Sequence, residues 1–193
     1  MQATSASSSN PNPQLIQRAQ QGDGGAVSWL YAQYQTSVFR YLYYRTGDRG
    51  VAEDLTSDVF LRMLRALPHY RIQAAPFQAW LFQIARNLAT DYFRQSRQDE
   101  SLSEALEAPG LTPEAAAEQA LTTERLRQAL AGLGAEQREA LIMRFVLKFS
   151  LEQTAQALGK SEDAIKGLQR RGLSALRQAL GAEDQKAEVY DDR

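Results

Sequence analysis

The sequence predicts an all-α fold made of two small helical domains joined by a flexible acidic linker. Apolar residues recur at spacings of three and four along most of the chain, which is the repeat of one helix face. No stretch shows the sustained alternation and β-branched enrichment that are typical of a strand. Residues 98–120 interrupt the helical pattern with prolines, a glycine and acids, which is the composition of a linker.

The overall composition excludes several classes of protein. The chain has 193 residues, which suits one or two small domains. It contains no cysteine, so disulfides and thiolate metal sites are excluded, and its one histidine argues against a histidine metal site. No apolar run approaches the roughly 18 residues that span a bilayer, so we expect no membrane insertion. We predict a polar disordered leader over residues 1–13, no secretory signal and a cytoplasmic location.

Three apolar stripes define the first predicted domain, residues 14–97. The first stripe contains Trp29, Leu30, Tyr34, Val38, Tyr41 and Leu42. After a turn at "TGDRG", where two glycines favour a sharp bend, the second stripe contains Val51, Leu55, Val59 and Leu64. Pro68 ends this helix, and a connector leads to a third helix that begins near Phe77. Trp80 falls on the apolar stripe of that helix, so we expect it in the core rather than on a stacking surface.

Charge is distributed unevenly, although the formal net charge is only −1. Residues 62–97 contain six arginines and one acid, whereas residues 98–124 contain seven acids and no lysine or arginine. Residues 160–180 are again basic, with five basic residues and two acids. Two basic segments that flank an acidic one favour nucleic-acid binding, although ordinary helix surfaces can also differ in this way.

The second predicted domain, residues 121–180, contains a candidate helix-turn-helix, and a polar tail follows over residues 181–193. Ser150 and Gln153 have the spacing of a capping box, which predicts a helix start at Leu151. Ala155, Gly159 and Ile165 have the spacing of the turn between two crossed helices. The second helix then presents a basic face that fits a DNA groove. A plain helical hairpin with a solvated basic face is the alternative.

The first domain carries a more specific pattern. "VAEDLTSDVFLRMLRAL" (51–67), followed by "FQAWLFQIARNLATDYFRQSR" (77–97), resembles the core of bacterial sigma-70-type RNA polymerase sigma factors. The compact two-domain form resembles their extracytoplasmic-function (ECF) group. Residues 140–178 are similar to the second domain of that family. The resemblance covers residues 24–97 and 121–180, and three motifs in this order are far more specific than any one of them.

The resemblance implies three groups of site residues. The first group, which would bind the clamp helices of the polymerase β′ subunit, is Asp54, Leu55, Asp58 and Phe60. The second group, which would contact and help to open the minus-ten promoter element, is Arg71, Arg86, Asn87, Asp91, Arg94 and Arg97. The third group, which would contact the minus-thirty-five element, is Ser161, Lys166, Gln169, Arg170 and Arg171.

The resemblance also implies a function and partners. It implies a transcription initiation factor that binds core RNA polymerase and promoter DNA, is held by an anti-sigma factor, associates with the nucleoid and uses no cofactor. The runner-up is a helix-turn-helix regulator that binds duplex DNA without polymerase, usually as a dimer. An enzyme is disfavoured, because the sequence has no glycine-rich phosphate loop and no HExxH metal motif.

Overall fold

A computed structural model describes residues 10–72, 75–96 and 125–191, the last eleven of these as backbone only. The helices are α1 (Pro13–Gln20), α2 (Gly24–Thr46), α3 (Arg49–Ala66), α4 (Phe77–Ser96), α5 (125–131), α6 (Ala135–Leu141), α7 (Leu151–Leu158) and α8 (Glu162–Asp191). A short 3₁₀ turn (Leu67–His69) follows α3, and a π-helical turn (Ile142–Val146) follows α6. The described ranges contain no strand, which confirms the all-α prediction. We call α1–α4 the first unit and α5–α8 the second unit.

The turn between α2 and α3 is built as the sequence predicts. Gly47 ends α2 with a φ of +80°, a left-handed conformation that glycine adopts at low steric cost. Asp48 then caps α3 by accepting a hydrogen bond from the Val51 amide at 2.8 Å. These two residues reverse the chain within a few positions, so that α2 and α3 pack side by side.

The core of the first unit contains most of the predicted apolar stripes. Leu30, Val38, Tyr41 and Val59 are fully buried. Two stripe positions were predicted wrongly, because Trp29 and Leu64 are exposed. Both residues lie at the edge of a stripe, where the 3.6-residue repeat turns a side chain away from the neighbouring helix. The helix α1, which the sequence analysis did not separate from the rest, packs against α2.

The second unit packs α8 closely against α6. A Cβ built on Gly172 would lie 2.9 Å from Cδ1 of Leu141, closer than carbon atoms approach in proteins. Leu141 is itself buried. The glycine therefore allows the two helices to approach each other, which accounts for a residue that lowers helix stability in the middle of α8.

Two glycine substitutions in α8 are expected to have opposite signs. We expect Gly172→Ala to lower the free energy of unfolding by about 1–3 kcal/mol, because the new methyl group overpacks the core. Gly167→Ala should raise it by up to about 1 kcal/mol, because its Cβ would meet only the movable end of the Arg171 side chain at 3.4 Å. Urea denaturation of both variants measures the two effects. Equal effects of the same sign would contradict the close-approach explanation.

The two units are docked against each other in one continuous core. Phe82 on α4 meets Phe149 before α7 edge-to-face, with ring centroids 4.9 Å apart. Beside them, the Gln153 side chain donates a hydrogen bond to the Gln78 side chain at 3.2 Å. The sequence predicts two domains on a tether, and no local pattern in it indicates that they share a core.

Some predictions fall outside the described residues. The linker at 98–120, Arg97 and most of the leader are among them. The helix α8 continues to Asp191, beyond residue 180, where the second domain is predicted to end and the polar tail to begin. In the described part of the chain, no helix combines the length and apolar character that crossing a membrane requires.

Candidate nucleic-acid interface

The outer face of α3 carries acids and exposed leucines. Asp54 and Asp58, both predicted to bind polymerase, are exposed here. Leu55 and Phe60, predicted for the same role, are instead buried, Phe60 with 5% of its surface exposed against the Tyr31 ring. Both residues lie on the side of α3 that packs against the core, so in this arrangement their side chains are covered by the first unit itself.

Two leucines take the place of the buried pair on this face. Leu61 is 50% exposed, and Leu64 is also exposed. Leu61 follows Asp58 by three residues and Asp54 by seven, so the three side chains lie on one helix face. We call Asp54, Ser57, Asp58, Leu61 and Leu64 the α3 outer face. Counting helical spacing from the two acids would have identified Leu61 from the sequence.

Three residues of the group implied for the minus-ten element form a polar stripe on α4. Asn87 and Arg94 are exposed, and Asp91 between them is half-buried and pairs with Arg94 at 3.1 Å. Spacings of four and three residues place these side chains on one face of the helix. Arg71, exposed after the 3₁₀ turn, lies outside this stripe in the connector that precedes α4.

Arg86 belongs to a different arrangement, a buried ion triad between the two units. Its Nε donates a hydrogen bond to Oε2 of Glu139 on α6 at 2.9 Å. Arg45 on α2 pairs with the other oxygen, Oε1, at 3.0 Å. The exposed fractions of the side chains are 3% for Glu139, 8% for Arg45 and 34% for Arg86. One carboxylate from the second unit thus pairs with two arginines of the first.

The sequence pattern singled out Arg86 only as a DNA contact and left Arg45 and Glu139 unassigned, although a signal existed for Arg45. Arg45 follows Tyr41 and Leu42 at helical spacing, so it continues a buried stripe where a cation needs a partner. Its guanidinium also lies 5.2 Å from the centre of the Phe93 ring. Burial raises the pKa of the adjacent Tyr41 hydroxyl well above its usual value. Nothing in the local sequence around Glu139 indicates which arginine it pairs with.

An aromatic cluster supports the connector before α4. The Trp80 ring is half-buried, 4.6 Å from the Tyr70 ring and 5.4 Å from that of Phe77. This packing agrees with the prediction that Trp80 is a core residue. The Tyr70 hydroxyl donates a hydrogen bond to the Ala75 carbonyl at 2.5 Å, which closes the connector on itself. Burial raises the pKa of this hydroxyl.

The helix-turn-helix geometry matches the sequence prediction closely. Ser150 and Gln153 form the reciprocal hydrogen bonds of a capping box at the start of α7. Gly159 ends α7 with a φ of +63°, and the Ser161 hydroxyl then accepts a hydrogen bond from the Ala164 amide at the start of α8. Ile165 on α8 is fully buried. The chain therefore forms two crossed helices with a tight turn between them.

The outer face of α8 is basic and exposed. Lys166, Arg170 and Arg171 point to solvent. Lys166 also bonds to Asp163 at 2.9 Å, and this hydrogen bond raises the pKa of the lysine. Gln169 is half-buried and accepts a hydrogen bond from Arg144 at 3.4 Å, a supporting contact that the sequence analysis did not identify. This face has the charge and the shape that the major groove of DNA accommodates.

Comparison with protein-family profiles matches both units. The profile described as Sigma-70 region 2 matches residues 30–98. The profile described as Sigma-70, region 4 matches residues 129–178. The first match contains α3 and α4, and the second contains the helix-turn-helix.

Relatives with assigned names match along most of the chain. The ECF RNA polymerase sigma factor BldN of Streptomyces coelicolor is 40% identical over 171 residues, 86% of this chain. The chain spans 65% of the length of BldN. The ECF RNA polymerase sigma factor SigD of Mycobacterium tuberculosis is 33% identical over 177 residues, which cover 87% of this chain and 83% of SigD.

Solved structures share the fold. The structure of CnrH in complex with the cytosolic domain of CnrY matches with a TM-score of 0.70 at 23% identity, over 87% of this chain and 96% of that one. The sigma factor RpoE in complex with the anti-sigma factor NepR, from Bartonella quintana, matches with a TM-score of 0.65 at 22% identity, over 80% of this chain and 96% of that one. Together with the two profiles and the named relatives, this likeness shows that the chain belongs to the ECF RNA polymerase sigma factors of the sigma-70 family.

Proposed function

We propose that the chain is a transcription initiation factor. It binds core RNA polymerase, directs it to specific promoters and assists the separation of the DNA strands, without catalysing a reaction itself. The observation that supports this proposal most strongly is the presence of both sigma-70 regions in one chain, in the order 2 then 4. A regulator that binds duplex DNA alone has no need for the first of these regions.

The α3 outer face is the surface that we assign to polymerase. Its exposed leucines supply apolar area that a protein partner can cover, and its acids suit a partner with a basic helical surface. The clamp helices of the β′ subunit are the partner that the family resemblance implies. We assign the apolar contact to Leu61 and Leu64, which are exposed, rather than to Leu55 and Phe60, which are buried.

We assign DNA contacts to two separate faces. Asn87, Asp91 and Arg94 on α4 face the minus-ten element, and we assign Arg71, which is exposed in the connector before α4, to the same element. The basic face of α8 contacts the minus-thirty-five element, with Arg170 and Arg171 positioned for phosphates or base edges. Arg86 and Arg97 belong to the minus-ten group by family position. Arg86 can contact DNA only after its ion pair with Glu139 is broken.

The docked units cannot contact both promoter elements at once. Elements named for positions 10 and 35 are 25 base pairs apart, or roughly 85 Å along duplex DNA at about 3.4 Å per pair. A compact chain of this length has a radius of gyration of about 16 Å, hence a diameter of about 40 Å. The 28 residues from 97 to 124 can extend to about 95 Å. We therefore infer that the units separate when both promoter elements are bound.

An anti-sigma factor is a further partner in this proposal. The CnrH and RpoE structures are complexes, the second of them with a protein described as an anti-sigma factor. A protein that binds the docked units of this chain would hold Arg86 against Glu139 and keep the factor inactive. We place these activities in the cytoplasm, on the nucleoid.

Promoter-directed transcription tests the proposed function. The purified chain is mixed with sigma-free bacterial core polymerase and with DNA fragments of the source genome. We expect discrete transcripts that need both proteins. Tight duplex binding by the chain alone, together with no binding to core polymerase, would contradict the proposal and support the dimeric regulator.

A further inference from the structure

A cleft lies between α3 and α4, on the side of α4 away from the second unit. Arg62, Arg65 and Ala66 of α3 line one wall, and Ile84 and Asn87 of α4 line the other. Its volume is about 300 Å³, at the small end of the range for ligand sites. The second unit packs on Phe82 and Arg86 instead, so the cleft is open in the docked arrangement.

The two arginines of the cleft have no acid among its lining residues. They are three residues apart on one helix, so their charges are neighbours and repel each other. In the described part of the chain, neither Arg62 nor Arg65 lies within ion-pairing distance of a carboxylate. The nearest α4 acid, Asp91, is paired with Arg94. An anion that bridges the two guanidinium groups would relieve their repulsion.

The donors in the cleft match a phosphodiester. A guanidinium presents a planar fork of N–H groups that can bond two oxygens of one phosphate, and the Asn87 amide can add another donor. Ala66 and Ile84 supply apolar surface against which a deoxyribose can pack. The cleft volume accommodates one such phosphate and sugar, which is the repeating unit of a DNA strand rather than a complete dinucleotide.

We propose that this cleft binds a backbone phosphate of the DNA strand whose bases meet the polar stripe of α4. Asn87 belongs to both the cleft and the stripe, so the bound phosphate and the contacted bases are within about two nucleotides of each other. Arg62 and Arg65 are therefore positioning residues that set the register of the strand on α4. The inference rests on the proposed function, because it takes promoter DNA as the ligand.

The test uses polymerase reconstituted with the full chain and a promoter fragment obtained in the transcription assay. The double variant Arg62→Gln/Arg65→Gln is compared with Arg40→Gln, which removes an exposed arginine of α2 outside the cleft. We expect the double variant to weaken binding to opened promoter DNA about tenfold or more. The slope of log affinity against log salt should fall by about 0.7, as expected when one phosphate of a single strand is no longer neutralised. Arg40→Gln should leave both quantities unchanged.

Neutral methylphosphonate substitutions then locate the contact. Each phosphate of the non-template strand near the minus-ten element is neutralised in turn. We expect one or two positions at which the substitution weakens the wild-type complex about tenfold but leaves the double variant unaffected. Equal losses at all positions in both proteins would show only a general attraction of charges, and would overturn the assignment.

The remaining outcomes separate this inference from the proposed function. If the wild-type chain directs transcription but the double variant binds opened DNA as well as the wild type, the cleft assignment is wrong and the function stands. If the wild-type chain directs no transcription, the proposed function is wrong. If polyglutamate competes for the cleft as strongly as single-stranded DNA of equal charge, the ligand is an acidic protein segment and the assignment to DNA is overturned.

Discussion

Replacing Glu139 with alanine is expected to separate the two units of the free protein. Glu139 supplies the one carboxylate of the buried triad, and both of its oxygens are bonded to arginines. Removing one partner of a buried ion pair costs about 3–5 kcal/mol, because the remaining charge is left without water or a counter-ion. Arg45, with 8% of its side chain exposed, would carry most of that cost.

Separation of the two units would lower the free-energy cost of the unpaired arginines. When the second unit moves away, water reaches the position that Glu139 occupied, and the arginines are hydrated again. The effect of Glu139→Ala is therefore limited by the free energy of docking, and we expect opening rather than global unfolding. Arg86 would become free in the same step, so the variant should bind DNA without polymerase more tightly than the wild type does.

Small-angle scattering of the free variant measures the opening. We expect the radius of gyration to rise by several Å above that of the wild type, whose compact fold corresponds to about 16 Å. Glu139→Gln, which keeps hydrogen-bonding capacity but not the charge, should give an intermediate value. Glu136→Ala removes an exposed acid from the same helix and should leave the scattering unchanged. If Glu139→Ala stays as compact as the wild type, apolar contacts such as that of Phe82 with Phe149 are sufficient to hold the two units together.

Replacing Leu61 with glutamate is expected to weaken binding to core polymerase strongly. Leu61 is the most exposed apolar residue of the α3 outer face, and it lies between two acids and Leu64. A side chain that is fully desolvated at the centre of an interface can cost about 2 kcal/mol or more when it is lost. Placing a charge there adds the cost of its desolvation. We expect the dissociation constant to rise by at least about 30-fold.

Titration of labelled core polymerase with each variant checks this prediction. Leu61→Ala should show a smaller loss, because it removes apolar area without introducing a charge. Ala32→Glu places the same carboxylate on the exposed side of α2 and should bind as the wild type does. Thermal unfolding should be similar in all three variants, because the substituted positions are on the surface. If Leu61→Glu binds polymerase as the wild type does, the polymerase contact lies outside the α3 outer face.

Local structure was predictable where one residue type satisfies one backbone requirement. The capping box at Ser150 and the left-handed turns at Gly47 and Gly159 are properties of neighbouring residues. Their geometry depends on hydrogen bonds and steric limits within a few positions. The sequence therefore contained enough information to place the helix-turn-helix and its exposed basic face.

Contacts between distant segments were not predictable in the same way. The apolar period of α3 indicates a buried face, but its boundary is uncertain by one residue, which decides whether Phe60 or Leu61 points outward. Docking of the two units depends on Glu139 meeting arginines 94 and 53 positions earlier in the chain. No local pattern specifies such a pairing, so the occlusion of Arg86 emerged only from the fold.

The distance between the two units, measured in the free protein and on a promoter, shows whether the units separate when the chain binds DNA. The chain has no cysteine, so Thr36→Cys on α2 and Gln178→Cys on α8 allow two dyes to be attached at exposed positions. We predict a separation below about 40 Å in the free protein, and one of roughly 80 Å in the complex with polymerase and promoter. A separation that stays short while the complex initiates transcription would contradict the account, because docked units cannot reach both promoter elements.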